Sequence, residues 1–277
     1  MRSINWTSLI VIMVLLLSGC TQKEDPQKYI KDLYSWDAEV RLVAGNALVG
    51  MGERAVPALI KELESPDPRV RYISVQILGR IKDPRAVPYL VSILKGPSKQ
   101  MAAKAAEALG RIADEKALKP LIEAASDTSG LVRADAIFAL GSYKGDQVYD
   151  IVVGALQDSV ARVRARALAA LSKYGKKVYG QVSPRIVDLA SDPDPEVRYI
   201  AVQSLKWAGD RPEVIEALIK ALDDPYQSVR LKAAISLSLL GDPKAIEPLE
   251  GLLARGTEKD KAAAKLALEK LRRRSSP

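Results

Sequence analysis

The feature that most constrains the fold is a Val-Arg pair that returns about every 31 residues. Met101 takes the place of the valine in one unit, and the pairs themselves begin at Val40, Val70, Val132, Val163, Val197 and Val229. The successive steps are 30, 31, 31, 31, 34 and 32 residues. Self-similarity at such a period is typical of architectures in which each unit stacks on its neighbours.

Each unit contains two apolar stripes at helical spacing. In the unit that begins at Val70, they cover residues 70–81 and 87–94. The pair Asp242-Pro243 places a capping carboxylate before a proline at the first helical position. Because a pair of helices this short cannot bury both stripes alone, neighbouring pairs must stack. The sequence therefore predicts an all-α solenoid over residues 26–274, with about seven helix pairs between two capping half-repeats.

Composition excludes several kinds of chemistry. The 277-residue chain has no histidine and one cysteine, Cys20. Nucleophilic catalysis through a histidine base, histidine-ligated metal sites, thiolate clusters and internal disulfides are therefore excluded. Carboxylates, Lys, Tyr and Ser remain, but no constellation of them stands out along the chain. We expect no enzymatic activity, no cofactor and no metal.

The repeat itself resembles a known family. The pattern D-x-x-x-V-R-x-x-A-x-x-x-L-G-x-I-x-D-x-x-A-V-x-x-L-x-x-x-L resembles the short HEAT repeats related to those of phycobilisome bilin lyases, and it covers nearly all of residues 25–273. Such repeats serve as scaffolds in many unrelated proteins, so the resemblance implies a protein-binding scaffold. Two alternatives stay open: a lyase or transferase that uses Tyr, Lys or a carboxylate, and a nucleic-acid-binding protein, which the formal charge of +8 would fit.

The N-terminus resembles an export and anchoring signal. A basic start precedes a mostly apolar stretch over residues 4–17, which is typical of a secretory signal peptide and short for a membrane span. The sequence LSGC at residues 17–20 resembles the bacterial lipobox. That resemblance implies a signal peptide over residues 1–19, a lipid on Cys20 and a tether over residues 20–25. We therefore expect a lipoprotein of the bacterial envelope, with Thr21 favouring the outer membrane of a two-membrane cell.

The expected partners are the membrane, reached through lipidated Cys20, and unidentified envelope proteins. In the resembled family the second helix of each pair lines the concave surface. One column of exposed positions there carries Arg54, Arg85 and Lys116, which predicts a basic patch for an acidic protein or a lipid headgroup; a solvated face is the alternative. We do not expect nucleic acid, because its track would keep one charge sign and interleave stacking aromatics. The sequence leaves the oligomeric state open.

Three further features carry an interpretation. The arginine of each Val-Arg pair is interpreted as a structural ladder that binds turn carboxylates or carbonyls, rather than as a phosphate-binding stripe. The irregular segment 172–184, which contains Tyr179, is predicted to be a long turn, either a partner-binding loop or a neutral insertion. Trp207 stands where other units have Arg or Lys, so we expect it to be partly exposed and to anchor a partner or cover its neighbour.

Overall fold

The computed structural model describes residues 24–275, except for the side chains of residues 176–178, 181–183 and 274–275. Cys20 and the lipobox-like stretch lie outside the described residues. Sixteen α-helices and no β-strand occur in residues 24–275. The chain forms two compact units, Met1–Asp83 and Pro84–Pro277, and each is described by itself.

The first unit contains four helices. They are α1 (Pro26–Asp32), α2 (Ala38–Met51), α3 (Val56–Glu62) and α4 (Pro68–Ile81). Aspartates cap three of them, because the side chains of Asp25, Asp37 and Asp67 each accept the backbone N–H two residues later. Four fully buried leucines fill the interior between the helices: Leu33, Leu48, Leu59 and Leu78.

The second unit contains the other twelve helices. They are α5 (Val87–Leu94), α6 (Lys99–Ile112), α7 (Leu118–Ala124), α8 (Gly130–Leu140), α9 (Asp146–Gly154), α10 (Ala161–Leu171), α11 (Lys176–Leu189), α12 (Pro195–Leu205), α13 (Pro212–Lys220), α14 (Gln227–Leu240), α15 (Ile246–Arg255) and α16 (Glu258–Ser275). We call α6, α8, α10, α12 and α14 the first helices of their pairs. Each packs on the next along the chain, and α16 packs on α14. The order along the chain confirms seven pairs between the lone helices α1 and α16.

The first helices approach one another closely through small side chains. A Cβ atom built on Gly110 of α6 would lie 2.5 Å from the Cα of Ala139 on α8. A Cβ on Gly141, just after α8, would lie 2.9 Å from the Cβ of Ala170 on α10. Real Cβ atoms do not come this close, so the contact between consecutive first helices requires glycine at these positions. The apolar side of each first helix completes the core, with Leu109, Leu140, Leu171, Leu205 and Leu237 fully buried.

Short 3₁₀ turns precede several second helices. Asp242 caps the turn Pro243–Ala245 by accepting the backbone N–H of Lys244 at 2.8 Å, which confirms the predicted cap. Asp114 caps the turn Glu115–Ala117 in the same way. Each turn continues directly into an α-helix, because the residue that follows the turn has right-handed helical backbone dihedrals.

The prediction of a long turn over residues 172–184 was wrong. Ser172–Tyr174 form a 3₁₀ turn, Gly175 turns the chain at a φ of 85°, and α11 follows with Pro184 inside it. Two glycines and a proline suggested a loop, because these residues weaken isolated helices. The helix forms because it buries Tyr179, Ile186 and Leu189 and packs on α12, and such packing overrides propensity.

Candidate interaction surface

The first predicted site residue, Arg54, holds the start of the described chain. It ends the 3₁₀ turn Gly52–Arg54, and its side chain is exposed. Its Nη2 donates a hydrogen bond of 2.7 Å to the backbone carbonyl of Glu24. The Glu24 carboxylate accepts hydrogen bonds from Tyr29 and Lys28, which hold its pKa below the usual range. Arg54 therefore has an intramolecular role in the first unit.

The other two residues of the predicted basic column lie in the second unit. Arg85 and Lys116 are exposed, in the 3₁₀ turns Pro84–Ala86 and Glu115–Ala117. The column therefore lies on the turns that precede the second helices rather than along the helices themselves. Its three members are divided between two compact units, and their binding role stays a prediction.

The two predicted aromatic contacts have different outcomes. Tyr179 is only 2% exposed, which favours the neutral-insertion alternative, and its role in partner binding stays a prediction. Burial raises the pKa of Tyr179, and the side-chain hydrogen bond with Ser204 partly offsets that rise. Trp207 follows α12 and is 41% exposed, which confirms the expected partial exposure. The ammonium group of Lys206 lies 4.9 Å from the centroid of the Trp207 ring. The role of Trp207 as an anchor stays a prediction.

The arginines of the Val-Arg pairs form the predicted structural ladder. Arg164 shows the pattern: its Nη1 donates to the carbonyls of Asp158 and Ser159, at 2.8 and 3.2 Å, in the turn before its own helix. Its Nε and Nη2 grip both oxygens of Asp192 in the next turn, each at 2.7 Å. The same double grip recurs in the pairs Arg133–Asp158, Arg198–Asp224 and Arg230–Asp260.

The charged groups of the ladder are bonded to one another and to the backbone within the protein. The hydrogen bond from Arg133 holds the pKa of Asp158 below its usual range, and Asp158 also accepts the backbone N–H of Val160. Asp192 is 4% and Arg164 is 14% exposed. In the first unit, Arg41 and Arg71 make only the carbonyl half of the pattern among described residues. A row of guanidinium groups bound in this way does not offer a stripe for phosphates.

A second charged cluster, which the sequence analysis missed, lies on the first helices. Asp135 of α8 is buried, and two arginines of α10 approach its carboxylate. Arg166 Nη2 lies 3.4 Å from Oδ1, and Arg162 Nη2 lies 3.6 Å from Oδ2. Burial raises the pKa of Asp135, and the two guanidinium groups oppose that rise. Oδ1 accepts no hydrogen bond from any described residue.

Arg162 and Arg166 differ from the ladder arginines in their exposure and bonding. Their side chains are 51% and 36% exposed, and their contacts with Asp135 are longer than hydrogen bonds. The guanidinium carbon of Arg166 lies 5.0 Å, and the ammonium of Lys173 4.1 Å, from the ring of Phe138. A cavity of about 200 Å³ adjoins the two arginines and is lined by Arg162, Ala165, Arg166, Ala169, Glu196 and Ile200.

The signal for this cluster was present in the repeat alignment. The third residue after the valine of each pair is apolar in three units, at Val43, Ile73 and Ile200. The same position is charged in the other units, at Lys104, Asp135, Arg166 and Lys232. The predicted binding column lay on the second helices, so this column of the first helices was missed.

Exposed apolar side chains stand near the start of α2. Trp36 is 86% exposed, Leu42 62% and Val43 64%. The guanidinium carbon of Arg69 lies 3.8 Å from the Trp36 ring, and Arg69 also pairs with Asp67. This pairing lowers the pKa of Asp67 to about 2. The first unit thus carries exposed apolar side chains around the start of α2, whereas Arg54, which holds Glu24, follows the end of that helix.

Residues 24–275 contain no group of three or more His, Cys, Asp or Glu side chains arranged to hold a metal ion. None of the helices in this range combines the length and the apolar composition that crossing a membrane requires.

Known proteins share this architecture. The sequence matches the family model for HEAT repeats over residues 27–100, 87–172 and 183–269. No curated protein sequence is significantly similar to the chain. The Escherichia coli protein YibA has a similar solved structure, with a TM-score of 0.63 and 21% identity over 99% of this chain and 98% of that one.

Two further solved structures are similar. An engineered protein gives a TM-score of 0.52 with 21% identity, over 88% of this chain and 77% of that one. The complex of CpcE and CpcF of the phycocyanin lyase from Nostoc sp. PCC7120 gives a TM-score of 0.50 with 22% identity, over 78% of this chain and 94% of that one. At these identities the similarity shows the fold alone. Since the family model covers most of the sequence, the chain belongs to the HEAT-repeat family.

Proposed function

We propose that the chain is a lipid-anchored helical-repeat scaffold that binds proteins at the bacterial cell envelope, without enzymatic activity of its own. The observation that carries the scaffold role is the contrast between the two sets of arginines. The ladder fixes the turns of the second unit, whereas Arg162 and Arg166 present unused donors on the same framework, and Arg166 lies beside Phe138. A rigid support with exposed, unsatisfied guanidinium groups favours recognition of another protein.

The membrane part of the proposal is supported by the sequence and by the first unit. The lipobox-like residues 17–20 place Cys20 four residues before Glu24, and four extended residues reach at most about 14 Å. Because Arg54 holds the Glu24 carbonyl, a lipid on Cys20 would keep the first unit near the bilayer. Trp36, Leu42 and Val43 are exposed in that unit, and Trp is favoured at membrane interfaces.

Mass spectrometry of the protein purified from bacterial membranes tests the anchor. We expect residues 1–19 to be absent and Cys20 to carry a diacylglyceryl group. The variant Cys20→Ser should retain residues 1–19 and lack the lipid, whereas the control Thr21→Ser should be processed like the wild type. A protein that begins at Met1 with an unmodified Cys20 would refute the proposed localisation.

Site-specific photo-crosslinking in cells tests the scaffold role. A photoreactive residue at Ala169, beside Arg166, should form a discrete adduct with an envelope protein. The same residue at Lys119, an exposed position of α7, serves as the control and should give a weaker adduct or none. If position 169 gives no adduct, or if both positions crosslink equally, the proposed surface does not bind a specific partner.

A further inference from the structure

We propose that the cavity beside Arg162 and Arg166 binds a carboxylate side chain from an acidic segment of a partner protein. The proposal rests on the scaffold function and names the chemical class of its partner. Four properties of the site carry it: unused donors, local charge, size and the adjoining aromatic ring.

The first property is the set of unused N–H donors on Arg162 and Arg166. Arg162 and Arg166 are four residues apart, so both guanidinium groups project from the same face of α10. A guanidinium group has five N–H donors in a fork that matches a carboxylate. Arg164, between them, donates four hydrogen bonds to described residues. Towards described carboxylates, Arg162 and Arg166 make only the ion pairs of 3.6 and 3.4 Å with Asp135, so most of their donors are available to a ligand.

The local charge selects the kind of anion. Two cations, Arg162 and Arg166, line the cavity, and two carboxylates oppose them, Glu196 in the wall and Asp135 against both guanidinium groups. Because Asp135 lies beneath the two arginines and Glu196 lines the cavity wall, a singly charged carboxylate fits this balance better than a doubly charged phosphate.

Size and lining indicate a side chain rather than a whole small molecule. The cavity has a volume of about 200 Å³, whereas pockets for drug-sized ligands usually measure about 300–1,000 Å³. Ala165, Ala169 and Ile200 provide apolar walls for the methylene groups of a glutamate. Phe138, between Arg166 and Lys173, offers an aromatic contact to the residues that flank it. An acidic peptide segment satisfies all of these features.

Binding of labelled peptides to the full chain in detergent tests the site. The probe is a short peptide of alanine and glutamine with two glutamates four residues apart, and binding is followed by fluorescence anisotropy. We expect it to bind more tightly than the same peptide with glutamine in place of glutamate. Tighter binding of a phosphoserine version than of the glutamate version would overturn the assignment to a carboxylate.

Variants locate the binding to the cavity. The double variant Arg162→Gln with Arg166→Gln should weaken binding of the glutamate peptide by about tenfold or more, because the carboxylate loses both of its charge-assisted hydrogen-bond donors. The control Lys265→Gln with Lys270→Gln removes the same charge from exposed positions of α16 and should change affinity little. Equal weakening by the two double variants would show that the effect is general electrostatics, and the assigned site would be wrong.

A variant that is expected to bind more tightly separates an effect on the site from loss of folding, because an unfolded protein would not gain affinity. Asp135→Asn removes the anion that competes for both arginines, so it should tighten binding of the glutamate peptide several-fold. Glu269→Gln, an equal charge change at an exposed position of α16, should not. Unchanged affinity in Asp135→Asn would contradict the proposal. If the peptide fails to bind but position 169 still crosslinks to an envelope protein, the scaffold function stands and the carboxylate site falls.

Discussion

Arg162 and Arg164 lie two residues apart on α10, yet their surroundings give them different roles. Arg164 is 14% exposed and bonds two carbonyls and both oxygens of Asp192. Arg162 is 51% exposed and approaches Asp135 only at 3.6 Å. Residue type alone does not separate the two roles. Register within the repeat does, because the position after the valine always points to the turns.

Removal of the Arg164 side chain should be strongly destabilising. Arg164→Ala leaves the buried Asp192 carboxylate with only a backbone N–H as partner, and breaking such a pair costs about 3–5 kcal/mol. Arg162→Ala, on the same helix, should change the free energy of unfolding by less than about 0.5 kcal/mol. The midpoints of urea unfolding measure both effects. Similar midpoints for the two variants would contradict the ladder as a source of stability.

At the residue scale, the repeat spacing predicted the contacts that recur in many units and missed the features that occur in a single unit. The Val-Arg period was enough to predict the ladder, because the same contact returns in every unit that has both partners. Tyr179 occurs once in its setting, so no period marks it, whereas Asp135 belongs to the column three residues after each valine, which is charged in four units. Whether Tyr179 is buried depends on the packing of α11 against α12, which the sequence pattern does not specify.

At the scale of elements, close contact between the first helices depends on glycine and alanine, which have the smallest side chains. Gly110 and Ala139 meet between α6 and α8, and Gly141 meets Ala170 between α8 and α10. The helices and their order could be predicted from apolar spacing and capping aspartates. Helix α11 could not, because Gly180 and Pro184 signal a loop locally while burial of Tyr179 and Ile186 stabilises a helix.

Addition of one methyl group should therefore have opposite effects at two glycines. Gly110→Ala forces α6 and α8 apart and should cost about 1–3 kcal/mol, the usual penalty for overpacking. Gly154→Ala adds the same atom at an exposed helical position with nothing within 4 Å and a φ of −58°. It should stabilise the protein by about 0.5–1 kcal/mol. Thermal unfolding measures both, and a neutral Gly110→Ala would contradict the close approach.

At the scale of the whole molecule, the ladder links stability to pH. The hydrogen bond from the ladder residue Arg133 holds the pKa of Asp158 below the usual range, and the hydrogen bond from Lys99, outside the ladder, does the same for Asp127. A lowered pKa in the folded state means that the unfolded chain binds protons first. The stabilisation is therefore complete above about pH 4, the ordinary pKa of aspartate, and is lost as the pH falls through the lower folded-state value. Asp135, whose pKa burial raises, contributes in the opposite direction.

Acid unfolding of one variant should show this linkage. Asp158→Asn removes a carboxylate that Arg133 holds ionised, so the free energy of unfolding should be lower near neutral pH and should decline less steeply below about pH 4. Urea titrations at several pH values measure the slope. A variant with the same slope as the wild type would show that Asp158 does not supply this part of the acid sensitivity.

The ladder also bears on how such a chain lengthens. Asp158, Asp192 and Asp224 each receive an arginine from the preceding unit on the carboxylate and offer the backbone carbonyl to the arginine of their own unit. Each of these three aspartates therefore presents the same two contacts, a carboxylate for one arginine and a backbone carbonyl for the next. A duplicated unit inserted at any of them would find both of its contacts ready, so gene duplication can add or remove units without new interface chemistry.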